Sequence, residues 1–250
     1  MTARGNDHRD SVVFVGPTLP ASEVAAKLPG VRVMPPVAVG DVLRWTRVRG
    51  VRRIAIIDGY FERMAAVWPK ELLLALERGI AVWGASSMGA LRAAELAAFG
   101  MRGVGAIFRM YARGELVADD EVAIVHLPED HGYRPASDAL VNLRHGIARA
   151  PMLSASTRTK LIELARRRFY ADRSWSRLLD DARKAGLPAR QLARLAAWPK
   201  PDLKAQDARS LLRTLARDRT PPPRLRMPRT WAFRQLEAWI SGDRFGRRGG

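Results

Sequence analysis

Serine, histidine and aspartate, the residue types of acyl-transfer chemistry, each stand at the end of an apolar run in this chain. Ser87 lies in Ile80-Ala81-Val82-Trp83-Gly84-Ala85-Ser86-Ser87-Met88-Gly89, and Ala- and Leu-rich sequence then continues at helical spacing to Leu96. An apolar run, small residues around a serine and a helical pattern predict strand, sharp turn and helix. That is the pattern of a nucleophile elbow, G-x-S-x-G, in the register Ala85 to Gly89, with alanine at the first glycine position and Ser87 as the exposed serine. The expected chemistry is attack of Ser87 on an acyl or thioacyl carbon. The N–H groups of Met88 and of a residue in the Gly16-Pro17-Thr18 loop would hold the oxyanion, and Ser86 is a neighbouring hydroxyl. The same turn also suits an anion bound at a helix N-terminus, and the plain alternative is a tight turn that only packs.

A serine nucleophile needs a base, and four histidines are available. His8 falls in a polar tail, His131 in a loop and His145 on a predicted helix, which leaves His126, at the end of Val122-Ala123-Ile124-Val125, as the candidate. Asp58 closes another apolar run; it either orients His126, binds a substrate amine or simply makes an Asp-Gly turn with Gly59. Arg92, five residues beyond Ser87, either faces an anion site or pairs with Glu95. No His/Asp/Glu set has metal-ligand spacing, and the first strand leads to Gly16-Pro17-Thr18 without G-x-G-x-x-G, so neither a metal nor a dinucleotide cofactor is expected.

The elements that must position these residues follow from the hydrophobic pattern. Strands are predicted at 11–15, 31–34, 53–57, 80–84 and 122–126, and helices at 21–28, from Asp41 as N-cap, at 67–79 with Pro69 in its first turn, from the elbow to about Phe99, and within 101–114. Continuous apolar strands alternating with helices predict an α/β fold: a parallel sheet with helices on both faces, doubly wound, Rossmann-like or hydrolase-like. Ligands of such sheets gather beyond the carboxyl ends of the strands, where Gly16, Pro17, Thr18, Asp58, Gly59, Tyr60, Ser86, Ser87 and His126 would converge. From Pro135 the pattern turns helical, at 137–150, 156–170, 175–185 and 188–198, followed by a basic segment with Pro221-Pro222-Pro223 and a last helix at 231–240. The chain is thus expected to comprise an α/β core at 11–150, a basic helical accessory region at 151–240, and disordered tails at 1–10 and 241–250.

Charge separates the two halves. Residues 1–150 carry 19 Lys+Arg against 16 Asp+Glu, whereas residues 151–250 carry 24 against 9. The second half suits an acidic protein, peptide or nucleic acid; with no nucleic-acid module recognised, a protein or peptide partner ranks first. Trp175, Trp198, Trp231 and Trp239 are read as anchors of small helical cores rather than as base-stacking groups. No apolar run reaches membrane-spanning length and residues 1–10 contain no secretory segment, so a cytoplasmic protein is expected. The absence of cysteine means that any sulfur chemistry uses sulfur brought by another molecule.

Over about residues 12–150 these same blocks resemble the TfuA-like proteins. The resemblance rests on Val13-Phe14-Val15-Gly16-Pro17-Thr18-Leu19, Ile56-Ile57-Asp58-Gly59-Tyr60-Phe61, Val67-Trp68, Lys70-Glu71, the run from Gly84 to Leu96, and Gly100-Met101-Arg102-Gly103-Val104-Gly105, extended by Asp120 to Ala123 and Val141 to Arg144. Two positions depart from the pattern: Pro69 stands where histidine is expected and Ser86 where alanine is usual. The resemblance implies an accessory role in thioamide formation on ribosomally made peptides, beside a YcaO protein that activates the backbone amide, with a ubiquitin-like sulfur-carrier protein and the precursor peptide as further partners. It suggests a serine-dependent hydrolase in which Ser87 attacks the carrier's thiocarboxylate, His126 moves the proton, Asp58 orients or binds, and Arg92 or Arg102 neutralises the anion. The competing expectation is a non-catalytic binding or allosteric partner of YcaO or of the precursor.

Overall fold

The computed structural model describes residues 7–61, 65–222, 224–226 and 228–240. Five strands form one sheet: β1 (Ser11–Phe14), β2 (Arg32–Met34), β3 (Arg53–Ile56), β4 (Ala81–Ala85) and β5 (Arg102–Val104). Their order is β2-β1-β3-β4-β5 and every pairing is parallel, which is the α/β architecture expected. The fifth strand is not the expected one. Val122 is buried away from the sheet, against α5 (Ala106–Ala112) and α6 (Leu140–Arg149), while Arg102-Gly103-Val104 pairs with Trp83-Gly84-Ala85. A short strand containing arginine and glycine leaves no apolar run to read.

Alternating strand residues face two separate cores. Val12, Phe14, Ile54, Ile56 and Val82 pack with α2 (Asp41–Trp45), α3 (Pro69–Glu77) and α4 (Met88–Leu96). Val13, Ala55, Ile57, Ala81 and Trp83 pack on the other face with α1 (Ala21–Lys27) and α10 (Leu203–Arg217). Helix α10 lies within the expected accessory region, yet Ala208, Leu211, Leu212 and Leu215 are sheet core. The remaining helices there, α7 (Ala155–Arg167), α8 (Trp175–Lys184) and α9 (Ala189–Ala197), share a third core with α6. Helix α11 (Trp231–Ile240) lies on α2 and inserts Phe233 against Leu43 and Leu74.

Several local expectations change in detail. Asp41 is the first residue of α2 rather than its cap; Gly40 precedes it at φ +87°, and the Asp41 carboxylate accepts from the Ala38 N–H instead. Pro69 opens α3, where its missing N–H removes one free donor of the first turn. Of the two expected tails, 241–250 and residues 1–6 lie outside the described residues. His8, by contrast, is buried, and Asp10 pairs with Arg53 of β3 at 2.5 Å.

Two polar contacts fix α10. The Asp207 carboxylate accepts the Ala106 and Ile107 N–H groups at 2.8 and 2.7 Å, capping α5 from another helix. The chain passes at Gly105 with φ +103°, and a Cβ there would stand 2.2 Å from the Asp207 carboxyl carbon. At the other end, Arg53 and Arg219 both donate to the Leu215 carbonyl. Replacing Asp207 by alanine strands two N–H groups and is expected to lower stability by about 2 kcal/mol in urea unfolding. His8 predicts an acid dependence. Burial, then the Arg53 charge, lowers its pKa, so its contribution is complete above the ordinary value of 6.5 and is lost as pH falls through the lower folded value. The thermal midpoint should therefore drop more steeply below pH 6.5 for the parent than for His8→Gln.

Candidate functional site

A cleft of about 280 Å³ opens beyond the carboxyl ends of the strands, against the loops that follow β1, β3 and β4. Strand order reverses at β1 and β3, and doubly wound sheets bind ligands at that switch point. Pro17, Asp58, Gly59, Tyr60, Ser87 and His126 all line the cleft, joined by Phe61, Tyr133, Tyr170 and the segment Ile124–Glu129. That segment and residues 134–137 form an irregular antiparallel turn, in which the Leu127 N–H donates to the Arg134 carbonyl and the Ala136 N–H to Val125. It forms a wall of the cleft in place of the strand expected there.

The elbow is built by close packing of helix on strand. A Cβ on Gly84 would meet the Gly89 carbonyl oxygen at 2.0 Å, and one on Gly89 would meet the Ile56 oxygen at 1.8 Å. With no side chain between them, α4 starts directly off the end of β4. The reversal this demands falls on Ser86, which takes φ +68° and is fully buried. Left-handed backbone in a serine costs about 1 kcal/mol and marks stored strain. Ser87 follows at φ −108° and is the serine that reaches the cleft.

Asp58 is a fixed anchor. Its Oδ2 accepts the Gly16 and Thr18 N–H groups, both at 3.0 Å, and its Oδ1 accepts the Thr18 hydroxyl at 2.6 Å. No hydrogen bond joins it to His126. The β1 loop spends these amides on Asp58, and Pro17 has none, so the expected oxyanion donor from Gly16-Pro17-Thr18 is already taken. Met88 opens α4, so its N–H is among the free donors of the helix's first turn. Thr18 Oγ1 also lies 3.4 Å from Ser86 Oγ.

His126 sits between Tyr60 and Tyr133, with ring centroids 5.8 and 5.6 Å away. Its Nδ1 is 2.8 Å from the Leu127 carbonyl, an acceptor, so Nδ1 carries a proton and Nε2 is the free basic nitrogen. Tyr133 is held at φ +55° with its hydroxyl buried beside Tyr60 and Glu129. Burial, with Tyr60 and Glu129 nearby, pushes that phenol well above the usual tyrosine range.

Arg92 and Arg102 lie elsewhere. Arg92 pairs with Glu95 at 2.6 Å and donates to the Val67 carbonyl, in a neighbouring groove that includes Asp119 and Asp120. Arg102 stacks over Trp83 and binds the Thr220 and Pro221 carbonyls, which ties the segment after α10 to the sheet edge. Neither reaches the Ser87 cleft.

The residue absent from the expectations is Lys204. It lies on α10, fully buried, and its Nζ donates to the Val122 carbonyl at 3.0 Å. Ser87 Oγ donates to that same oxygen at 3.4 Å. A serine hydroxyl and a lysine amine therefore share one acceptor beneath the cleft. Burial lowers the Lys204 pKa, opposed by the charges of Asp58 and Asp202. The signal in sequence was a helical apolar pattern at 203, 208, 211, 212 and 215 behind an Asp202 cap, and a lysine inside that pattern.

Comparison with curated proteins finds no match. The family model described as TfuA-like protein matches residues 58–174. The match begins after the Val13–Leu19 block on which the resemblance partly rested, and it extends past residue 150 into the helical region. At the level of the family it ties the chain to YcaO-associated thioamide formation. Asp58, Ser86, Ser87, Val122 and His126 fall inside the matched segment, over which the chain is similar to the TfuA-like proteins.

Proposed function

We propose that the cleft releases sulfide from a thiocarboxylated chain terminus, that of a ubiquitin-like sulfur-carrier protein, for a YcaO protein acting on a precursor peptide. The observation that carries the reading is the meeting of Ser87 Oγ and Lys204 Nζ at the Val122 carbonyl. Serine with a neutral lysine as base is a recognised variant of the serine-histidine arrangement. Lys204 takes the role first expected of His126, and His126 with Tyr60 and Tyr133 lines the path of the incoming chain.

In the acylation step the Ser87 oxygen bonds to the thioacid carbon while its proton passes to Lys204. The Met88 N–H, at the positive end of α4, faces the developing oxyanion. The carbon–sulfur bond then breaks, and Lys204 returns the proton to the departing sulfur, so the thioacid leaves its sulfur as hydrogen sulfide and its acyl group on Ser87. Water attacks the acyl-serine with Lys204 again as base, which yields the carboxylic acid and free Ser87. The sum is thioacid plus water giving acid plus hydrogen sulfide. Asp58 keeps the β1 loop from closing over the strand ends, a positioning role rather than a chemical one.

Ser87→Ala is expected to lower sulfide release from carrier thiocarboxylate by about a thousandfold or more, while Ser86→Ala retains activity. Sulfide release by Ser87→Ala at the parent rate would eliminate the serine mechanism and favour a non-catalytic partner of YcaO. The identity of the base is read from pH. With Lys204 as base, the rate rises with pH through a midpoint below lysine's ordinary 10.5, and Lys204→Met removes that limb. A pH limb that survives Lys204→Met and disappears in His126→Ala would return the role to the histidine.

A further inference from the structure

The three-helix unit α7–α9 contains a pattern that sulfide release does not use. Ala182, Gly186, Leu192 and Leu195 recur at intervals of four, six and three, and each has a structural reason. Ala182 is fully buried where α8 crosses its neighbours, and Leu192 and Leu195 seat α9 in the same core. Gly186 takes φ +73°, a conformation a side chain rarely adopts. The Leu187 N–H then donates back to the Ala182 carbonyl and the Gly186 N–H to Arg183, both at 3.0 Å, which closes α8 and turns the chain. Four residues, 185–188, separate the two helices. Two helices joined by a short glycine turn and braced by a third are the framework of a helix-turn-helix.

The exposed side of α9 fits that framework. Ala189, Arg190, Ala193 and Arg194 are all exposed, so two arginines one turn apart stand among side chains too small to keep the helix axis from a groove floor. On α8 and the turn before it the arginines are paired, Arg177 with Asp172 and Arg183 with Asp180, and Arg168 after α7 pairs with Asp181. Among the described residues, neither Arg190 nor Arg194 has an ion-pair partner. Residues 155–200 carry 12 Lys+Arg against 4 Asp+Glu, a field that attracts a polyanion. The α8 turn was not recognised from sequence because alanine and leucine at these spacings also satisfy an ordinary helical hairpin.

We propose that residues 175–197 bind duplex DNA, with α9 entering the major groove and Arg190 and Arg194 directed at phosphates and base edges. The groove admits one α-helix, and the arginine fork matches guanine as well as phosphate. The whole chain is titrated against a fluorescent mixed-sequence duplex between about 50 and 200 mM salt, with anisotropy as the readout. Affinity is expected to fall linearly with salt on logarithmic axes. R190A/R194A should lose about tenfold in affinity and flatten the slope by about two. R213A/R217A, which removes two exposed charges from α10 instead, should stay within about twofold of the parent. Thermal melts matching the parent would establish that both variants are folded. Absence of duplex binding at the lowest salt overturns the proposal. So does an equal loss from both double variants, which assigns binding to diffuse charge, or competition by poly-glutamate as effective as that by duplex, which assigns the surface to an acidic protein.

Discussion

The bare contact between Gly84 and Gly89 is the constraint on which the site depends. A helix that follows a parallel strand usually stands off by the thickness of its side chains; here the backbones touch, because a Cβ at either position would overlap a carbonyl oxygen. Close approach leaves only Ser86 and Ser87 to reverse the chain, which is why a buried serine carries a left-handed backbone. It also aims the open end of α4 at the crevice between β1 and β3. Asp58 completes the frame from the other side, since its carboxylate holds the β1 loop by three hydrogen bonds and keeps the crevice floor in place.

Lys204 is the costly part of this design. A buried amine loses its hydration, and the protein offsets this with the Val122 carbonyl and the nearby charges of Asp58 and Asp202, without giving it a direct carboxylate partner. The arrangement holds only because α10 is fastened at several points. Asn142 accepts the Lys204 N–H and donates to Asp202, and Asp207 caps α5. A helix late in the chain thus both covers the second face of the sheet and delivers an amine beneath the serine. Division of labour between an N-terminal catalytic sheet and a C-terminal accessory bundle does not describe this fold.

Legibility varied with how much of each feature was local. Four of the five strands, the elbow, and α7, α8 and α9 were visible because their apolar periodicity is strong and their turns use glycine and proline. Strand β5 was invisible, since three residues, arginine, glycine and valine, carry no pattern, and Arg102 is spent on Trp83 and two carbonyls. The apolar run at 122–126 misled for the converse reason: Val122 buries against helices, not strands. Helix α10 escaped notice because Lys204 and Asp207 interrupt its apolar face, and polar residues at buried positions read as surface.

The sequence by itself determined the alternation of strand and helix, the strained serine turn and the placing of Asp58 and Ser87 at strand ends, because each follows from neighbours along the chain; His126 reaches the same cleft from an irregular turn. The sequence also carries the segment, 58–174, that matches the TfuA-like family model. Tertiary structure alone brought Lys204, 117 positions away, to the Val122 carbonyl that Ser87 also uses. It likewise decided that Asp58 is an anchor and that Arg92 and Arg102 serve other contacts. Which side chains share an acceptor is set by the packing of distant helices, which spacing along the chain does not encode.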